Sequence, residues 1–131
     1  MKKFILLYIM VIFYMLSTVF AVVIEPASQK QTDIITKAIK DPITVTKTAA
    51  IKSSRHRNAY YVGLKFVAHE LEMTGTGLWL VNGSASNPQA VFSVNATAIV
   101  FSRFPKSGLM KKPARMSDDE AKLILNYLKA D

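Results

Sequence analysis

Lys2 and Lys3 precede an apolar run from Phe4 to Ile24, broken only by Ser17 and Thr18 and closed by Glu25-Pro26. This run sets the first two dozen residues apart from whatever the remainder folds into. A positive n-region followed by an apolar h-region is the pattern of an export signal. Val19 and Ala21 place small side chains at the minus-three and minus-one positions for a cut between Ala21 and Val22. The run also reaches the roughly 20 residues that suffice to span a bilayer, so an uncleaved anchor over residues 4–24 is the competing reading. Both readings carry residues 22–131 out of the cytoplasm, because the cations precede the apolar run. The expected localisation is secreted or periplasmic, with a membrane tether as the variant.

The exported part is expected to be one small domain, residues 22–131 of a 131-residue chain. The whole chain carries 17 Lys and Arg against 9 Asp and Glu, and loss of Lys2 and Lys3 leaves a net +6. Cysteine is absent. That excludes a disulfide scaffold, a lipid-modified N-terminus, Cys-ligated metal clusters, thiol nucleophiles and covalently attached haem. No cofactor and no metal is expected, and the fold rests on its apolar core.

Ser28 and Gln31 form a capping-box pattern, and Ile34, Ile35, Ala38 and Ile39 recur at helical spacing, which predicts a helix over about 28–40 ended by Asp41-Pro42. Ile43, Val45, Ala49 and Ile51 alternate with threonines, which predicts a strand with one buried face. Tyr60, Val62, Leu64, Phe66 and Ala68 define a second strand, with Tyr61, Lys65 and His69 on its other side. Thr74-Gly75-Thr76-Gly77 reads as a flexible turn before a short apolar strand, Leu78 to Val81, with Trp79 in the core. Asn82 to Pro88 is turn chemistry. Beyond it Phe92, Val94, Ala96, Ala98 and Val100 fit a strand, and Val91, Val94, Ala98 and Phe101 fit a helix stripe equally well; the stretch is read as a strand to about Ser93 and a helix over about 94–103, with a strand over 94–103 as the alternative. Ser117, with Glu120 closing a capping box and Met116 stapling onto Ala121, opens a terminal helix whose buried stripe is Ala121, Ile124, Leu125 and Leu128. The fold class is therefore α+β: a small antiparallel sheet of three to four strands in a meander, packed on N-terminal and C-terminal helices.

Catalytic patterns are thin. His69-Glu70-Leu71-Glu72 lacks the second histidine a zinc protease needs, and its residues alternate between the two faces of a strand. Gly-x-Ser-x-Gly is absent, and Gly75-Thr76-Gly77 is too short to cradle a phosphate. The anomaly is basic: Lys52, Arg55 and Arg57 flank His56 in one loop, while Lys106, Lys111, Lys112 and Arg115 fill another. Such clusters provide solubility in any protein, and on an exported domain they also suit an anionic partner. An anionic envelope polymer, a membrane surface or an exported protein fits; a nucleic acid read by stacking does not, since only Tyr60 and Tyr61 adjoin a cluster.

The segments Tyr60-Tyr61-Val62, Gly77-Leu78-Trp79, Val94-Asn95-Ala96-Thr97-Ala98 and Ser117-Asp118-Asp119 stand in that order over about residues 60–120. In this the chain resembles a group of small, uncharacterised secreted bacterial proteins. The resemblance implies a small exported domain and says nothing of a substrate. The expected function is a non-catalytic binding or accessory domain with a basic surface; the alternative is a small hydrolase acting on a cell-envelope or extracellular polymer.

Overall fold

The computed structural model describes residues 22–130. The expected signal, residues 1–21, lies outside the described residues. Helix α1 (Gln29–Thr36) is followed by strands β1 (Ile43–Lys52), β2 (Ala59–Ala68), β3 (Met73–Ser84) and β4 (Asn87–Ser93), then by α2 (Ala96–Phe101), a single 3₁₀ turn at Ser107–Leu109, and α3 (Asp119–Lys129). The four strands form one antiparallel meander in sequence order. The expected α+β architecture, a sheet packed with helices, is what the chain adopts.

Both faces of this sheet are covered. On one, Val62, Leu64, Phe66, Trp79, Val81 and Val91 pack with Ile35 and Ile39 from α1 and its C-terminal turn and with Ala98 and Phe101 from α2. On the other, Ala49, Ile51, Tyr61, Leu78 and Leu80 meet Ala121, Ile124 and Leu128 of α3. The side of β2 expected to carry Tyr61 among polar neighbours is thus a second core layer, with Tyr61 fully buried. Gly63 permits this layer, because a Cβ there would collide with Ile124 and Leu128.

β1 serves both layers by changing face midway. Pairing with β2 runs Val45 to Phe66 and then Lys47 to Lys65, leaving Thr46 as an extra residue in a bulge. Ile43 and Val45 therefore lie against the α1 side, whereas Ala49 and Ile51 lie against α3. The single alternating face expected for β1 is two half-faces. Lys47, just past the bulge, lies on the α3 side, where its Nζ donates to the carbonyls of Tyr127 at 2.8 Å and Ala130 at 2.9 Å. A cation at the C-terminus of a helix opposes the negative end of its dipole.

Three local expectations need correction. Gly75 and Gly77 are not a turn but part of β3, paired with Phe66 and Leu64, and the chain reverses at 69–72 instead. The glycines are there because the Phe66 ring covers Gly75 and the Trp79 indole lies over Gly77, where a Cβ would collide with it. Helix α1 keeps its capping box, Gln31 N donating to Ser28 Oγ at 3.0 Å and Ser28 N to Gln31 Oε1 at 3.0 Å, but it ends at Thr36. Ile39 leaves it to bridge Ser102 beyond α2. For α3, the N-cap is Asp118 rather than Ser117, Met116 is exposed, and Glu120 does not close a capping box. Both acids are drawn away to other partners. The strand ends at Ser93 as expected, and the helix that follows is shorter than the expected 94–103, Ala96–Phe101, with Asn95 as the N-cap: its Oδ1 accepts from Ala98 N at 3.0 Å.

Each edge of the sheet carries a short partner. Glu25 pairs antiparallel with Ala50 of β1 through two opposed backbone bonds, and Lys106 bridges Ser93 of β4.

Candidate basic interface at one end of the sheet

The loop between β1 and β2 turns tightly on Ser53. Its Oγ accepts from Arg55 N at 3.3 Å and His56 N at 3.0 Å, and it faces His56 Nδ1 at 3.0 Å. His56 Nε2 lies 2.7 Å from the Lys112 carbonyl, so this nitrogen carries the proton and Nδ1 accepts from the serine hydroxyl. A serine and a histidine in contact invite comparison with a nucleophile and its base. Here both are buried, the imidazole is committed to a backbone carbonyl, and the hydroxyl is held by two amides. The pair braces one loop against another.

Beneath this brace lies an ionic layer. Asp118 Oδ1 accepts from Arg55 Nη1 at 2.6 Å; Oδ2 accepts from Arg115 N at 3.1 Å and from the Tyr61 hydroxyl. Glu120 Oε1 accepts from Ser54 N at 2.6 Å. Burial pushes the Asp118 carboxyl up, but the bonds from Tyr61, Arg115 and Arg55 outweigh it and hold the group below the usual carboxylate range. Glu120 is likewise raised by burial and lowered, on balance, by its bonds from Ser54. Burial first, and then the Asp118 carboxylate, push the Tyr61 phenol upward, so it remains a donor. The result ties the β1–β2 loop to the start of α3 and to the segment before it.

These contacts decide which of the expected basic residues come together. Lys52, Arg57, Lys111, Lys112 and Arg115 are all exposed at this end of the sheet, carried on two loops joined through His56 and Asp118. Arg55 belongs to the same place, but its guanidinium is paired with Asp118. Lys106 stands apart: it bridges Ser93, which pairs with Trp79 near the middle of β3. The exposed acids at this end are Glu25 and Asp119. Sequence reasoning named the cations but missed Tyr61, Ser53, Asp118 and Glu120, which set their positions.

The residues considered for other chemistry lie elsewhere. His69 Nε2 is 2.6 Å from Thr44 Oγ1 at the far end, and Glu70 and Glu72 are exposed in the β2–β3 hairpin. Among the described residues no three His, Asp or Glu side chains gather as a metal site would require. Depressions of about 350, 450 and 320 Å³ are lined respectively by Val22, Lys52 and Tyr60, by Lys30, Ile34 and Pro88, and by Lys37, Lys40 and Arg103, among others. None of the three is lined by His69, Glu70 or Glu72. Set against known protein families, curated proteins and solved structures, the chain matches none.

Proposed function

We propose that this protein is an exported, non-catalytic binding or accessory module whose basic end recognises an anionic partner outside the cytoplasm. The observation that supports the reading most is the fixed junction of two basic loops, through His56 with the Lys112 carbonyl and Arg55 with Asp118. Loops that serve solubility alone have no need of a buried ionic layer to hold them together. Cations held in one geometry present a local positive potential instead of a diffuse one. The alternative, a hydrolase of an extracellular polymer, has weaker support, since the Ser53 and His56 pair is buried and each member is engaged by backbone.

The test is binding of the full chain to polyphosphate and to anionic vesicles, alongside a variant carrying Arg57→Glu, Lys111→Glu and Lys112→Glu. Affinity should fall steeply with salt and be lost in the variant, because exposed charges are screened within about 8 Å at physiological ionic strength. Arg55 is left intact, since reversing it would break the pair with Asp118. Binding that ignores both salt and reversal would overturn the reading.

A further inference from the structure

We infer that the basic end is a bilayer-facing surface, seated on anionic phospholipid head groups with the β2–β3 hairpin pointing away from the membrane. This rests on the electrostatic reading above and names the partner it would take.

The first observation is where the chain enters the domain. Glu25 pairs antiparallel with Ala50, so residues before it continue toward the Lys52 end of β1. Val22 and Val23 accordingly share a depression with Lys52 and Tyr60, and both are exposed, at 56% and 64%. The apolar run that ends at Ile24 thus approaches the domain at the end that carries Lys52, Arg57, Lys111, Lys112 and Arg115. A polybasic cluster next to a membrane-directed apolar segment is what an anionic leaflet attracts.

The second observation is polarity along the strands. Asp41, Glu70 and Glu72 stand at the opposite end interleaved with Lys37, Lys40, Arg103 and Lys129, so the charges there largely offset one another, whereas at the basic end five exposed cations face only Glu25 and Asp119 as exposed acids. Ten residues of β2 separate the two ends, about 30 Å at roughly 3.3 Å per residue. That exceeds the screening length of about 8 Å several times over, so each end meets its surroundings on its own. An anionic surface therefore favours one orientation. A soluble protein partner would need a contoured patch, whereas separate lysines and arginines beside two exposed valines match a head-group layer over an apolar interior.

The absence of cysteine makes the test direct. Ser54→Cys, at the basic end, and Glu70→Cys, in the hairpin, are each labelled with a fluorophore in the full chain. The chain is reconstituted into phosphatidylcholine vesicles with or without phosphatidylglycerol, both containing a lipid with a nitroxide on its head group. Quenching should be strong at residue 54 and weak at residue 70 when phosphatidylglycerol is present. That difference should shrink markedly in phosphatidylcholine alone, at about 1 M salt, where screening acts within about 3 Å, and in the Arg57→Glu, Lys111→Glu, Lys112→Glu variant, leaving only what entry of the chain at the Lys52 end imposes; a difference unchanged by all three overturns the inference. Equal quenching at both sites in anionic vesicles, or stronger quenching at 70, overturns the inference. Polyphosphate in solution separates the two readings: salt-sensitive binding to it without orientation on vesicles sinks the bilayer inference and leaves the electrostatic one, while failure of both sinks both. Unchanged Trp79 emission confirms that each variant is folded.

Discussion

The Tyr61 hydroxyl, rooted in the buried face of β2, donates to the Asp118 carboxylate at the start of α3, 57 residues away in sequence. It is the deepest of the bonds that fasten the last helix to the basic end of the sheet. Tyr61→Phe keeps the ring and removes only this donor. A hydrogen bond to a charged group contributes about 1.5 to 3 kcal/mol, and urea unfolding should show a loss in that range. An unchanged midpoint would mean that Arg55 and the Arg115 amide hold Asp118 unaided.

Acid should loosen the same junction. Asp118 and Glu120 are both held below their ordinary values in the folded state. The unfolded chain therefore binds protons at a higher pH than the folded one, and stability rises with pH across that interval. The contribution is complete above the unfolded values near 4, and is lost as pH falls through the lower folded values. Thermal midpoints recorded from neutral pH downward should drop in that acid window. The drop should be shallower in Asp118→Asn and Glu120→Gln, which start less stable at neutral pH.

Trp79 is fully buried, and its indole N–H donates to Ser102 Oγ at 3.0 Å. Trp79→Ala should cost about 3 to 5 kcal/mol. Gly77→Ala tests the same packing from beneath, because the added methyl collides with the indole. Overpacking of this kind costs about 1 to 3 kcal/mol. As the sole tryptophan, Trp79 reports its own displacement through a shift in emission.

Deleting Thr46 should be tolerated. It is exposed and unmatched in the ladder, so its removal leaves Val45 opposite Phe66 and Lys47 opposite Lys65 in a regular pairing. Deleting Ala49 instead shifts one part of β1 by a residue and moves its side chains to the wrong faces. Thermal unfolding of the two deletions should separate them clearly: the first folds, and the second is severely destabilised or unfolded. Equal damage from both would show that the bulge itself is required.

The elements that local chemistry controls were legible. The Ser28 and Gln31 capping box, the Trp79 core position, the apolar face of β2 and the stripe of α3 each depend on neighbours within a few residues, and each is found in the fold. What escaped depends on distant partners. Ile43, Val45, Ala49 and Ile51 keep a perfect two-residue period in sequence, yet one inserted residue at Thr46 splits them between layers. Gly75 and Gly77 have the composition of a turn, and only the Phe66 and Trp79 rings explain why a strand needs them bare. Ser117 to Glu120 has the form of a capping box, but Tyr61, Arg55 and Ser54 compete for its carboxylates from the far side of the chain. The basic clusters could be counted from the sequence; their meeting through His56 and the Lys112 carbonyl could not. Tyr61 offered the one available hint, an aromatic where the alternation expected a polar residue.

The pairing of Glu25 with Ala50 has a mechanical consequence. Residues 22–27 run antiparallel to β1, and the two opposed bonds, Glu25 N to Ala50 O at 3.1 Å and Ala50 N to Glu25 O at 2.6 Å, lie across that direction. Tension applied through the preceding chain along the strand axis loads both bonds in shear at once, instead of peeling them in turn. Force on the residues before Glu25 is thereby delivered to β1, and through its ladder to β2.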